Sequence, residues 1–186
     1  MVARPVDKVQ ASARSSERLF FALWPDDKTR AALARVQRDL APRKGRQVHP
    51  EDIHMTVVFL GPATPERRVC AERIATEVEA CQGFVPFELM LDRIGSFPRA
   101  RVFWCGASVC PPPLLDLVGS LNRGLADCGF VPERLPYRPH VTLARKVQPV
   151  EARDQPQPIR WRVDELVLVT GTGAVPRYRV VRRWKL

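Results

Sequence analysis

Two of the three histidines carry the same local signature. His54-Met55-Thr56 and His140-Val141-Thr142 each place a threonine two residues after a histidine, and both sit in short apolar runs. Along a β-strand, residues i and i+2 point to one face at a spacing of about 6–7 Å, so each triplet sets an imidazole beside a hydroxyl. Met55 and Val141 then face a core, and Val57-Val58-Phe59-Leu60 and Leu143-Ala144 anchor the two strands by burial. Histidine titrates close to neutrality, so two of them can act together as one base and one acid. Threonine hydroxyls can donate hydrogen bonds to phosphoryl oxygens. The set suits in-line attack on a phosphodiester, with one histidine taking a proton from water and the other giving one to the departing oxygen. A cyclic phosphate is an attractive substrate, because ring strain lowers the barrier that a metal would otherwise help to cross. No serine or cysteine nucleophile is indicated and no cofactor or metal is expected. His49 lacks such a partner and reads as a solvated loop residue.

These strands need elements to hold them. Arg18–Trp24 reads as a strand ended by Pro25-Asp26-Asp27, where Asp26 or Asp27 can cap a helix over Lys28–Leu40 with Ala32, Val36 and Leu40 as its stripe. Pro42–Pro50 is a basic loop, and Ile53–Leu60 is a strand closed by Gly61-Pro62. A second helix spans Pro65–Cys81 with Val69, Ile74 and Val78 inward. Phe84–Leu91 and Arg101–Gly106 read as strands joined by a turn at Gly95-Ser96-Phe97-Pro98. Pro111-Pro112-Pro113 opens a third helix over Leu114–Cys128 that Gly129 can end. Pro139–Ala144, Val163–Thr170 and Tyr178–Trp184 complete the strands. A weak repeat runs through this order. Arg18-Leu19-Phe20-Phe21 leads through a helix to the first triplet, and Arg101-Val102-Phe103-Trp104 leads through a helix to the second. Duplicated strand-helix-strand units packed about a pseudo-twofold axis would bring the two triplets together.

At 186 residues and 21.1 kDa, with 45% hydrophobic and 27% charged residues, the chain suits one domain of ordinary size, or two small lobes sharing an interface, after a short polar tail (1–17). The net charge of +10 comes almost wholly from 25 arginines, and residues 134–186 carry 12 Lys+Arg against 4 Asp+Glu. That balance suits a polyanion such as RNA, although a generally arginine-rich composition would give it too. No apolar run is long enough to span a bilayer, and Met1–Ser16 has no apolar segment of a secretory signal, so a cytoplasmic monomer away from membranes is expected. Five cysteines without a Cys-x-x-Cys argue against disulfides and zinc, and for a reducing compartment.

The sequence resembles the two-histidine phosphoesterase superfamily. Within it, it looks like the bacterial and archaeal RNA 2′,3′-cyclic phosphodiesterases, long called RNA 2′-5′ ligases (LigT-like). The resemblance rests on Arg18-Leu19-Phe20-Phe21-Ala22-Leu23, on His54-Met55-Thr56 with Phe59-Leu60-Gly61, and on Gly95-Ser96-Phe97-Pro98. It continues through Arg101–Gly106 and Pro139-His140-Val141-Thr142-Leu143-Ala144-Arg145, and it covers about residues 18–186. It implies a bilobal α+β fold with two pseudo-twofold related antiparallel sheets around a cleft and helices outside. It also implies hydrolysis of a terminal 2′,3′-cyclic phosphate, on RNA or a nucleoside, to a 2′-phosphate. Carried over by position, His54 becomes the proton donor to the 3′ oxygen and His140 the base that activates water, a distinction that residue types alone do not make. Thr56 and Thr142 would hold phosphoryl oxygens. The resemblance also sets Arg145 near the nucleotide, although five residues after His140 a regular strand would turn it away. Phe21 and Tyr137 could stack on a base, and Trp104, Trp161 and Trp184 read as core anchors. Ligation of 2′-5′ linkages in the same site, a non-catalytic RNA- or nucleotide-binding module, and other two-histidine substrates are the competing readings.

Overall fold

The computed structural model describes residues 16–82, 85–131 and 136–186. Nearly all of the expected tail lies outside the described residues, as do Phe84 and Arg134. In chain order the elements are β1 (Glu17–Leu23), α1 (Asp27–Leu40), β2 (Arg46–Gln47), a 3₁₀ turn (Pro50–Asp52), β3 (Met55–Ala63), α2 (Pro65–Gln82), β4 (Phe87–Phe97), β5 (Val102–Gly106), α3 (Pro112–Asp127), β6 (His140–Arg145), β7 (Arg153–Val163), β8 (Glu165–Gly171) and β9 (Tyr178–Lys185). The fold is α+β. Its strands pair antiparallel in the order β7-β4-β5-β6-β3-β1-β8-β9, with β2 added beside β6. The two expected sheets are therefore two four-stranded halves of one path, and the β3–β6 junction that joins them is a single pair, Met55 opposite Val141.

The halves mirror each other strand for strand. β3, β1, β8, β9 correspond to β6, β5, β4, β7, and a helix links the first two strands of each half. Register sharpens the repeat seen in the sequence. Ala22 lies opposite Thr56 and Trp104 opposite Thr142, so Phe21 matches Phe103 and the correspondence is shifted by one residue from the Arg18/Arg101 alignment. Phe21 and Phe103 are both fully buried. A one-residue slip changes the face of every side chain, so burial settles this register and identity does not.

Helices cover the sheet away from the cleft. Asp26 caps α1, its carboxylate accepting from Thr29 N at 2.6 Å. α1 buries Thr29, Leu33, Val36 and Gln37 and packs on β6 and β7, so the helix that leaves the first half lies on the second. In α2 the inward stripe is Ala71, Ile74, Ala75 and Val78, at i, i+3, i+4 and i+7, while Val69 is exposed. α2 packs on β9 and α3, and both helices touch β3. Trp161 and Trp184 are core anchors, but Trp104 is only half-buried. No described helix is long and apolar enough to cross a membrane.

Four readings of the sequence change. β4 runs straight through Gly95-Ser96-Phe97, because Gly95 serves packing and not turning: a Cβ there would lie 2.8 Å from Trp104 Cζ2. β3 continues through Gly61-Pro62, since beyond Met55 its far edge pairs with nothing among the described residues and the missing proline N–H costs no ladder bond. β7 was hidden by Pro156 and Pro158, which an edge strand paired only with β4 tolerates. Finally, Cys70 on α2 and Cys128 after α3 form a disulfide with Cα atoms 5.9 Å apart, contrary to the all-thiol expectation. Residues 58 apart meet because α2 and α3 pack side by side, which no spacing rule shows.

One buried amide ties α1 to the second triplet strand. Gln37 Nε2 donates to Leu143 O at 2.7 Å and to Val48 O at 2.8 Å. Replacing it by an apolar side chain of similar size strands two carbonyls, at about 1–3 kcal/mol. Gln37→Met should therefore lower unfolding stability by about 2 kcal/mol in urea denaturation at an unchanged m-value.

Candidate active site

The Met55–Val141 pair fixes where the reactive side chains stand. In antiparallel register around it, His54 comes opposite Thr142 and Thr56 opposite His140. The histidines occupy one diagonal and the threonines the other. With about 5 Å between strands and about 6.7 Å from residue i to i+2, the histidine Cα atoms are about 8 Å apart. That leaves room between the ring tips for one phosphoryl group. All four side chains are half-buried, while Met55 and Val141 between them are wholly buried. Tyr137 Oη, just ahead of β6, donates to Thr56 O at 2.9 Å and ties the segment before His140 to the opposite strand.

Each imidazole is oriented the same way. His54 Nδ1 lies 2.6 Å from Asp52 O, and His140 Nδ1 lies 2.8 Å from Arg138 O. A carbonyl only accepts, so both Nδ1 atoms carry the proton and both Nε2 atoms are left for chemistry. The carbonyl two residues upstream is the donor's partner in both halves. Gly106 sits opposite His140, where a Cβ would fall 2.6 Å from Pro139 O, so only glycine lets β5 approach here.

The surroundings of the two rings differ. His54 is walled by aromatics: Trp24 stacks at 5.6 Å, Phe20 lies at 4.9 Å, and Tyr178 meets it edge-on at 5.1 Å. Burial against this wall pushes its pKa down to about 4, with the Arg145 guanidinium adding to the shift. The Asp52 carbonyl opposes the shift without cancelling it. The Asp52 carboxylate, itself buried, accepts from Arg177 N at 2.8 Å and Tyr178 N at 3.1 Å, clamping the β8–β9 hairpin that carries Tyr178. No sequence signal marked Asp52. Beside His140, Phe97 lies edge-on at 4.9 Å.

Bulges decide which residues flank the triplets. β6 carries an extra residue between the positions opposite Trp104 and Phe103, so Arg145 returns to the face of His140 and Thr142, the bend that regular alternation lacked. β3 has the matching irregularity between the positions opposite Ala22 and Phe21, which brings Phe59 to the equivalent place. Phe59 is 48% exposed, and with His54, Thr142 and Arg145 it lines a cavity of about 790 Å³. Phe21 is not there. It is wholly buried against Trp184, so it cannot stack on a base, and Phe20 is the aromatic of β1 that reaches the site. Tyr137 lines a second cavity beside His140 with its hydroxyl engaged by Thr56. In the sequence Phe59 reads as a strand anchor and as part of the Phe59-Leu60-Gly61 motif, with no site role, and the bulge that exposes it leaves no pattern there.

The arginines sort by partner. Arg93, Arg160, Arg182 and Arg183 pair with Asp154, Glu88, Glu72 and Glu165. Three of the twelve basic residues in 134–186, namely Arg160, Arg182 and Arg183, are thus engaged in ion pairs. Arg18, Arg46, Arg145 and Arg177 line the larger cavity and make no ion pair among the described residues. His49 is an exposed residue on the same rim, its Nδ1 accepting from Glu51 N. Among the described residues no three His, Cys, Asp or Glu side chains cluster as metal ligands.

A family model described as the 2′-5′ RNA ligase superfamily matches residues 25–174. The RNA 2′,3′-cyclic phosphodiesterase of Escherichia coli K12 is 30% identical over 176 residues, covering 91% of this chain and 97% of that protein. Its Thermus thermophilus counterpart is 30% identical over 183 residues, covering 91% and 90%. The crystal structure of E. coli LigT with 3′-AMP superposes with a TM-score of 0.82 at 28% identity, covering 92% of this chain and 98% of that one.

The aromatic wall makes a direct prediction. In an NMR titration the His54 ring should titrate near pH 4, and Trp24→Ala or Tyr178→Ala, by admitting water, should move the midpoint up toward 6.5. Because the folded pKa lies below the unfolded value, the contribution of His54 to stability is complete above about pH 6.5 and is lost as pH falls toward 4.

Proposed function

The chain belongs to the 2′-5′ RNA ligase superfamily, and we propose that it hydrolyses the 2′,3′-cyclic phosphate at an RNA end, or on a nucleoside, to a 2′-phosphate without a metal. The observation that carries this reading is the diagonal of two imidazoles, each held at Nδ1 by a backbone carbonyl so that Nε2 is left for chemistry. Two E. coli and Thermus relatives bear the name of this activity, and E. coli LigT has been crystallised with 3′-AMP.

In the proposed step His140 Nε2 takes a proton from water, whose oxygen attacks phosphorus. The bond from phosphorus to the 3′ oxygen breaks in line, and that oxygen takes the proton of His54 Nε2. Thr56 and Thr142 donate to the non-bridging oxygens, and Arg145 faces the charge that builds there. The leaving ribose then belongs on the His54 side, in the larger cavity, with Phe59 as a face for its base. The depressed pKa of His54 belongs to the unliganded protein. A phosphate anion placed beside the ring raises that pKa and favours the protonated form that a proton donor requires. In this reading residues 18–186 act as one catalytic body, as a monomer in the cytoplasm.

Turnover of cytidine 2′,3′-cyclic phosphate should persist in EDTA and yield the 2′-monophosphate; a 3′-monophosphate, or unchanged substrate, would overturn the reading. His54→Ala and His140→Ala should each cost at least about 100-fold in kcat. The free arginines make a separate prediction for longer substrates. Arg46→Ala or Arg177→Ala should weaken capture of a cyclic-phosphate RNA and lower its salt slope by about 1, with a much smaller effect on the mononucleotide.

A further inference from the structure

Asp52 meets the site with two groups at once. Its carbonyl accepts from His54 Nδ1 at 2.6 Å. Its carboxylate Oδ1 accepts from Arg177 N at 2.8 Å and from Tyr178 N at 3.1 Å, and Oδ2 also accepts from Arg177 N, at 3.0 Å. Both groups hang on a fixed stretch of backbone. Asp52 N donates to His49 O and Ile53 N to Pro50 O, closing the 3₁₀ turn, and Ile53 is wholly buried. The turn therefore holds the carbonyl and the carboxylate in a set relation to each other.

On the far side the carboxylate grips a braced unit. Thr172 N donates to Arg177 O at 2.8 Å and Thr172 Oγ1 to Pro176 O at 2.6 Å, so the β8–β9 turn keeps its own shape. Its Val175, Arg177 and Tyr178 line the larger cavity, and the Tyr178 ring meets His54 and Phe20 edge-on at 5.1 and 5.0 Å. β9 is an edge strand paired only with β8, so the sheet holds these residues from one side alone. Asp52 holds them from the other. A buried carboxylate is a costly acceptor for this purpose. Asp52 is 2% exposed and makes no ion pair among the described residues, and a neutral amide oxygen would satisfy the same N–H groups with less desolvation. The charge has a use of its own. It favours the protonated form of His54, against burial and against the positive charge of Arg145 and His140 across the junction, with Tyr178 the titratable group facing the ring from β9.

We propose that Asp52 is the positioning residue of the acid: its carbonyl aims the His54 ring while its carboxylate holds the β8–β9 hairpin against that ring, so that acid and wall form one body. The inference rests on the reading of His54 as the proton donor given above. Asp52 acts through His54 and the hairpin. One side chain thus shuts water away from the ring and supplies the negative charge that keeps protonation within reach.

Three variants separate the acceptor from the charge. Asp52→Asn keeps Oδ1, which takes both amides, and removes the charge. Asp52→Glu keeps the charge and displaces the acceptor by one methylene. Asp52→Ala removes both. In an NMR titration of the free protein, Asp52→Glu and Asp52→Ala should admit water and raise the His54 midpoint from about 4 by about 1 pH unit or more toward 6.5. Asp52→Asn should leave it at about 4 or below, because the clamp stays and the favourable charge is gone. With cytidine 2′,3′-cyclic phosphate, the limb of the kcat/KM pH profile that belongs to His54 should move with the midpoint in each variant. A midpoint that stays near 4 in both Asp52→Glu and Asp52→Ala overturns the proposal, and so does an Asp52→Asn midpoint that rises with theirs. Where Asp52→Ala does not fold, the Asn and Glu variants decide between them. The titration uses no substrate, so it settles the role of Asp52 by itself, and absence of cytidine 2′-phosphate from the native protein overturns the hydrolase reading alone.

Discussion

Met55 and Val141 meet as the single pair that joins the two halves of the sheet, and the site depends on that contact. Both side chains are wholly buried, so the hydrophobic effect holds the junction from the core side while the polar triplets open on the other. Alternation along each strand turns histidine and threonine outward together, and antiparallel register crosses them. A wider junction would have paired β3 and β6 along their length and closed the space that a phosphate needs. A junction slipped by one residue would have buried the histidines.

Around this contact the backbone is nearly symmetric and the environment is not. Both imidazoles are held at Nδ1 by the carbonyl two residues upstream, and both triplets end in a bulge. Yet the first bulge presents Phe59 and the second Arg145. Three aromatic rings enclose His54, whereas His140 opens on a cavity of its own. Duplicated geometry thus supplies two identically oriented rings, and the side chains around them make their environments unequal. Desolvation lowers the pKa of His54, aided by the positive charge of Arg145.

The supports of the site are long-range. Gln37 on α1 reaches the backbone of β6, and Asp52 reaches the amides that begin β9. Each satisfies buried polar groups that water cannot reach, so each converts a flexible loop into a fixed wall. The cleft arginines are the reverse case. Carboxylates neutralise Arg93, Arg160, Arg182 and Arg183 on the outer surface, whereas Arg18, Arg46, Arg145 and Arg177 around the larger cavity make no ion pair among the described residues.

The sequence by itself determined what depends on neighbours along the chain. The His-x-Thr spacing, the apolar residues between and after, the Asp26 cap and the strand-helix-strand repeat were all legible, because strand alternation and helix capping act over two to four residues. So was the family, through motifs in order. Tertiary structure alone decided the remainder. Phe21 and Phe20 are adjacent and chemically alike, and only the packing of Trp184 sends one to the core and the other to His54. Arg145 and Phe59 face the cleft because of bulges, which arise from the partner strand and leave no periodic trace. Gly95 looked like a turn and proved to be room for an indole. Cys70 and Cys128 meet only because two helices lie together. The low pKa of His54 depends on how much water the folded aromatic wall excludes, a property of the assembled surface that no stretch of chain carries.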